Sequence, residues 1–176
     1  MCGIFCFVSK EEISDDVVNS SLDILKNRGP DARAARRYKL GDFNVVLGHT
    51  RLSILDLSEN ANQPFSDGHL HIIFNGEIYN HLDLRKKFLK NEEFRTTSDT
   101  ETLIKLFKKY DYSKFMKDIR GMFSFVLLDE KTGDVQIFRD RAGEKPLYCS
   151  SSNSFLSFSR SEEHTSELQS PMYLVC

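Results

Sequence analysis

Cys2 lies directly behind the initiator Met1. Methionine is normally removed ahead of a small side chain, and its removal would leave a thiol and a free α-amine on one residue. That pair is a self-contained nucleophile and base. An α-amine with a pKa of about 7.7–8.0 is partly neutral near pH 7 and can accept the thiol proton. A thiolate forms readily near neutrality and suits attack on an amide. Such an attack needs donors aimed at the developing oxyanion, and Asn75 and Gly76 place a side-chain amide and a backbone N–H side by side. A free amino acid as substrate would need a cation for its α-carboxylate, which Arg51 can hold in bidentate fashion. Its α-ammonium would need carboxylates, and Glu77 and Asp99 are the candidates. Each residue also has a plainer explanation. Position 2 could simply begin a buried strand and Arg51 could be a solvated strand-end charge. Asn75–Gly76 could be a turn, and Asp99 a favourable charge at a helix N-terminus.

The elements that must position these residues follow from the apolar pattern. Residues 2–8 are apolar on both faces of the alternation and predict a buried strand. Val18, Leu22 and Leu25 recur at helical spacing over 15–27, and Arg28-Gly29-Pro30-Asp31 stops that helix, with Gly29 supplying a permissive backbone. Strands are expected at 43–52 and 70–74, the latter closed by Asn75–Gly76 as a turn dipeptide. The polar stretch 58–68 predicts a surface loop. A short helix follows Asn80 with Leu84 and Phe88 on one face. Ser98 and Glu101 form a capping box for a helix that carries Leu103, Leu106, Phe107 and Tyr110. Residues 122–128 read as a central strand that turns at Lys131-Thr132-Gly133-Asp134 into a partner at 135–138. Short strands follow at 147–149 and 155–158. The pattern argues an α+β fold with antiparallel sheets.

A chain of 176 residues, 40 % hydrophobic with 14 Phe and 6 Tyr, is about one domain with a real core, which excludes wholesale disorder. A net charge of −2 gives no electrostatic case for nucleic acid or anionic lipid as partner. No apolar run reaches the roughly 18 residues of a membrane span, and no signal peptide is expected. The four cysteines (Cys2, Cys6, Cys149, Cys176) are too scattered for a disulfide framework. They are read as reduced thiols of a cytoplasmic protein. No second Cys or His pair completes a zinc site with Cys2 and Cys6, so no metal is expected.

Seven blocks occur in order: Met1-Cys2-Gly3-Ile4, Arg28-Gly29-Pro30-Asp31, Gly48-His49-Thr50-Arg51-Leu52-Ser53-Ile54, Asn75-Gly76-Glu77-Ile78-Tyr79-Asn80, Ser98-Asp99-Thr100-Glu101, Arg120-Gly121-Met122-Phe123-Ser124-Phe125 and the run 139–148 from Arg139-Asp140-Arg141 to Pro146-Leu147-Tyr148. Together they resemble the class II (N-terminal nucleophile, Ntn hydrolase) glutamine amidotransferase domain over residues 1–159. The blocks around Arg51 and Asn75 look most like those of glutamine-hydrolysing asparagine synthetases. The resemblance implies a four-layer αββα sandwich of two antiparallel sheets, L-glutamine as substrate and Cys2 as nucleophile. It also implies Asn75 and the Gly76 N–H as oxyanion hole, Arg51 on the substrate carboxylate, and Glu77 with Asp99 on its ammonium. No cofactor is implied for the glutaminase step. ATP and Mg2+ would serve a C-terminal synthetase domain that activates aspartate in asparagine biosynthesis, and a homodimer is compatible with the resemblance. A sugar-phosphate or phosphoribosyl synthase, or a non-catalytic domain of the same fold, are the alternatives.

Two departures stand out. There is no Gly-Gly pair for the synthetase pyrophosphate loop, so that half is expected to be absent, and the sandwich is expected to be incomplete at its C-terminal side. Residues 160–176, beginning Arg160-Ser161-Glu162-Glu163-His164, resemble the translated read-through of a sequencing-library adapter. They are set aside as an artefactual tail, a genuine exposed tail being the alternative.

Overall fold

The computed structural model describes residues 2–152 and 154–160. The first strand, β1 (Gly3–Ser9), sends its alternate side chains to two different apolar layers. Ile4 and Cys6 face inward with Val45, Leu47, Ile73, Val126 and Leu128, which is the seam between two sheets. Phe5 and Phe7 face outward onto α1 (Asp15–Leu25) with Val18, Leu22 and Leu25. The unbroken apolar run from Ile4 to Val8 is therefore what a strand buried on both sides requires.

Around β1 the first sheet runs β2-β3-β1-β9-β8, all antiparallel, from β2 (Ala32–Leu40), β3 (Phe43–Arg51), β8 (Tyr148–Ser151) and β9 (Phe155–Ser159). The second sheet runs β4-β5-β6-β7, from β4 (Phe65–Asp67), β5 (Leu70–Ile78), β6 (Gly121–Asp129) and β7 (Asp134–Arg139). Its outer face carries Ile72, Phe74, Phe125 and Leu127 against Leu84 of α2 (His81–Phe88) and Leu103 and Leu106 of α3 (Asp99–Lys109). Helix, sheet, sheet, helices: this is the αββα sandwich expected from the resemblance.

Several local expectations change. Asn75–Gly76 does not turn the chain. β5 runs straight through it to Ile78, because Gly76 lies where β6 approaches: a Cβ there would sit 2.2 Å from the Met122 carbonyl oxygen. Gly29 likewise serves close approach rather than a positive φ, since a Cβ would lie 2.3 Å from the Thr50 backbone. The 58–68 stretch is not all surface; Ala61, Gln63 and Phe65 are buried, and Phe65 opens β4. β2 is a strand that the apolar pattern did not signal. The capping box is only half made: Ser98 Oγ accepts from the Glu101 N–H at 3.3 Å, but the Glu101 carboxylate caps the N–H groups of Arg95 and Thr96 instead.

Residue 160, first of the segment set aside, continues the ladder by donating its N–H to the Ile4 carbonyl at 3.1 Å. The rest of that segment, 161–176, lies outside the described residues, as does Cys176.

Candidate active site

Cys2, Arg51, Asn75, Gly76, Glu77 and Asp99, far apart in sequence, line one cleft of about 100 Å³ at the end of the sandwich. The Gly48-His49-Thr50-Arg51 run builds one wall. Phe5 packs over Gly48, whose Cβ would collide with its ring at 2.1 Å. The Thr50 hydroxyl accepts the Gly3 N–H at 3.2 Å and donates to the Leu25 carbonyl at 3.0 Å, tying the start of β1 to the end of α1. His49 is buried, held neutral by that burial with its pKa pushed down to about 3, and its Nε2 lies 3.3 Å from the Phe74 carbonyl on the facing sheet. These contacts fix β1 and β5 relative to each other, and hence Cys2 relative to Asn75.

The Cys2 thiol is half-buried. Its Sγ accepts the Leu52 N–H at 3.4 Å. Burial raises its pKa, and the Leu52 N–H and the Arg51 guanidinium oppose that rise. The Asn75 amide, 1 % exposed, is oriented with Nδ2 toward the Cys2 carbonyl oxygen at 2.9 Å and Oδ1 toward Arg160 Nε at 3.3 Å.

The Gly76 N–H is placed by strand parity. Phe123, its partner on β6, turns its own N–H and carbonyl to Asp140. Gly76 and Phe123 are therefore a non-hydrogen-bonded pair, and the Gly76 N–H points to the opposite edge of β5. On that edge the Phe74 N–H is taken by Gln63 Oε1 at 2.6 Å and the Ile78 N–H by Asp99 Oδ2 at 2.9 Å. Between them the Gly76 N–H meets no acceptor among the described residues and faces the cleft.

The charges of the cleft are left apart. Arg51, 7 % exposed, donates to the Ser58 carbonyl at 2.8 Å, to Asn62 Oδ1 at 2.7 Å and to the Asp56 carbonyl, all neutral acceptors. Asp99 is 5 % exposed; burial first, with the negative field of Glu77 adding, raises its pKa to about 6 against the pull of the Ile78 N–H. Among the described residues none of Arg51, Glu77 and Asp99 takes part in an ion pair. A buried cation without an anion and two carboxylates without a cation, Asp99 buried and Glu77 half-buried, in one cleft complement a zwitterion such as an α-amino acid headgroup. A nucleophilic sulfur and a free N–H donor share the cleft with them.

The chain belongs to the glutamine amidotransferase domain family. That family's profile matches residues 1–170. The chain is 40 % identical over 151 residues to a protein of Acanthamoeba polyphaga mimivirus designated a glutamine-hydrolyzing asparagine synthetase, covering 84 % of this chain and 27 % of that protein. A Methanocaldococcus jannaschii protein of the same designation is 38 % identical over 166 residues, with 84 % and 32 % covered. Amidase chry2 of Gibberella zeae is 40 % identical over 162 residues, with 84 % and 24 % covered. The amidotransferase domain thus spans about a third or less of the curated relatives it matches. In fold it matches glutamine phosphoribosylpyrophosphate amidotransferase from B. subtilis at a TM-score of 0.77 and 18 % identity, covering 98 % of this chain and 44 % of that one.

All six site residues expected from the sequence come together. Three contributors were missed: the Leu52 N–H on the thiol, Asn62 on Arg51, and Gln63 on β5. The signal for the last two was an apolar Ala61 and a Pro64-Phe65 pair inside a stretch otherwise polar enough to read as loop. No helix of the described residues is long and apolar enough to cross a membrane.

Proposed function

We propose that the amidotransferase domain hydrolyses L-glutamine to glutamate and ammonia, and that in the whole protein this ammonia amidates aspartate, with ATP consumed, to give asparagine. The observation that carries the glutaminase reading is the single cleft in which a thiol, an open strand N–H and separated opposite charges converge. In this reading Met1 is removed and the Cys2 amine takes the thiol proton. The sulfur attacks the side-chain carbonyl of glutamine while Arg51 holds the substrate α-carboxylate and Asp99 with Glu77 its ammonium. The oxygen that becomes negative meets the Gly76 N–H and the Asn75 amide. The amine then passes its proton to the leaving ammonia, and water hydrolyses the γ-glutamyl thioester with the same amine as base. The glutaminase step needs no cofactor; ATP and Mg2+ belong to the synthetase half, which also supplies the aspartate site.

The asparagine half of the proposal rests on the names of two of the three relatives above and on the blocks around Arg51 and Asn75. The test is ammonia release from glutamine by the chain with Met1 removed, against Cys2→Ala, with mass spectrometry of Cys2 after an electrophilic glutamine mimic. Equal rates in the two proteins, or an unmodified sulfur, would overturn the mechanism. Formation of asparagine from aspartate and ATP by the whole protein tests the second half separately.

A further inference from the structure

Beyond Ile72, β5 has no strand on its outer edge among the described residues, because β4 reaches only from Asp67 to Phe65. An unpaired edge at that point would leave the Asn75–Gly76 segment free to shift. Yet this segment must hold an N–H donor within a few tenths of an ångström of a transient oxygen. One side chain does the work of the missing strand. Gln63, 8 % exposed, accepts the Phe74 N–H on its Oε1 at 2.6 Å and donates from Nε2 to Thr100 Oγ1 at 3.3 Å. Thr100 lies in the first turn of α3, next to Asp99, which accepts the Ile78 N–H at the other side of Gly76. The open N–H is thus framed by two side-chain acceptors that are themselves joined through α3. The residue before Gln63 faces the other way: Asn62 Oδ1 accepts from Arg51 Nη1 at 2.7 Å.

We infer that Asn62 and Gln63 are positioning residues that divide the labour of the cleft, Asn62 aiming Arg51 at the substrate carboxylate and Gln63 holding the oxyanion donor of Gly76 in place. This rests on the glutaminase reading above and deepens it. The donor acts only once negative charge has formed, so loosening Gln63 costs turnover and spares binding. The cation acts on ground state and transition state alike, so loosening Asn62 costs binding and spares turnover.

The experiment is steady-state glutamine hydrolysis by the chain with Met1 removed. Gln63→Leu, which fills the same space without either hydrogen bond, is expected to lower kcat about tenfold or more with KM within about twofold. Gln63→Glu keeps an acceptor oxygen for the Phe74 N–H in either protonation state and is expected to recover most of that loss. Thr100→Val, which cuts only the tether to α3, gives a smaller loss of kcat and serves if Gln63→Leu does not fold. Asn62→Ala is expected to raise KM several-fold with kcat within about twofold. The rate of Cys2 alkylation by iodoacetamide, which needs no oxyanion donor, should be unchanged in all four. If the unsubstituted chain does not hydrolyse glutamine, the glutaminase reading fails and takes this inference with it. If it does, the inference alone is overturned by an undiminished kcat in Gln63→Leu and Thr100→Val. Losses that strike kcat, KM and alkylation together would overturn it equally.

Discussion

Of two regions that each hold a nucleophile among polar partners, one has the makings of an active site and the other does not. At the far end of the second sheet, Arg36 Nη1 donates to Ser66 Oγ at 2.9 Å, Ser66 Oγ lies 2.7 Å from His71 Nδ1, and His71 Nε2 lies 2.8 Å from Glu130 Oε2. A serine, a histidine and a glutamate in a row are the ingredients of an acyl-transfer triad. Yet Arg36 donates to the very Oγ that would have to attack, and Ser66, His71 and Glu130 all lie outside the cleft that holds Cys2 and the open Gly76 N–H. At the cleft the opposite holds. Among the described residues Arg51 touches only neutral oxygens, Asp99 and Glu77 meet no cation, and the Gly76 N–H meets no acceptor. A satisfied network stabilises a fold, whereas unspent capacity in a buried place awaits a ligand.

The largest effect that sharpens this contrast is catalytic. Cys2→Ala is expected to cut ammonia release from glutamine by about a thousandfold or more, while Ser66→Ala keeps the parent rate. A comparable fall in Ser66→Ala would break the contrast.

Next comes Asp99→Asn, which keeps an oxygen for the Ile78 N–H but removes the charge. The KM for glutamine should rise roughly thirtyfold, from a loss of about 2 kcal/mol at a buried charge pair. Stability should move the other way. The folded pKa of Asp99 is raised, from 3.8 to about 6, so the parent chain has its full stability below the lower value and loses part of it as pH rises through the upper one. The melting temperature of Asp99→Asn should therefore exceed that of the parent at pH 8, and the difference should close as pH falls from about 6 to about 4. Over the same fall the parent's KM for glutamine should climb, because the carboxylate is being neutralised. A variant that melts lower than the parent at pH 8 would show that the Asp99 charge is compensated.

Gly76→Ala follows. Its Cβ would lie 2.2 Å from the Met122 carbonyl oxygen and 2.6 Å from Phe123 Cα, both backbone, so β5 and β6 must part. A destabilisation of about 1–3 kcal/mol or more is expected in urea unfolding. The smallest effect belongs to Glu130→Gln, which leaves His71 a neutral acceptor at a carboxylate 46 % exposed. A change under about 1 kcal/mol and an unaltered glutaminase rate are expected.

Much of the fold was legible because burial left a periodic mark. β1, β6 and α3 show it, since each is pressed against apolar layers on the sides that their sequences announce. β2 was invisible because an edge strand needs only Ala35, Tyr38 and Leu40 against the core, and its arginines lie in solvent. The Asn75–Gly76 dipeptide misled for a different reason. Its composition is that of a turn, and what overrides composition is the approach of β6, a tertiary fact. The six residues that line the cleft were picked out through their chemistry and their match to a family pattern. Gln63 and Asn62 escaped because a glutamine or asparagine that braces other groups has no chemistry of its own to advertise.

The separated charges of the cleft also make the empty protein easier to melt than the occupied one. Any small zwitterion that bridges Arg51 and Asp99 should raise the melting temperature in proportion to how well it fits. A thermal-shift panel of the common amino acids, run on Cys2→Ala so that nothing is consumed, would then rank side-chain length and headgroup stereochemistry on one scale.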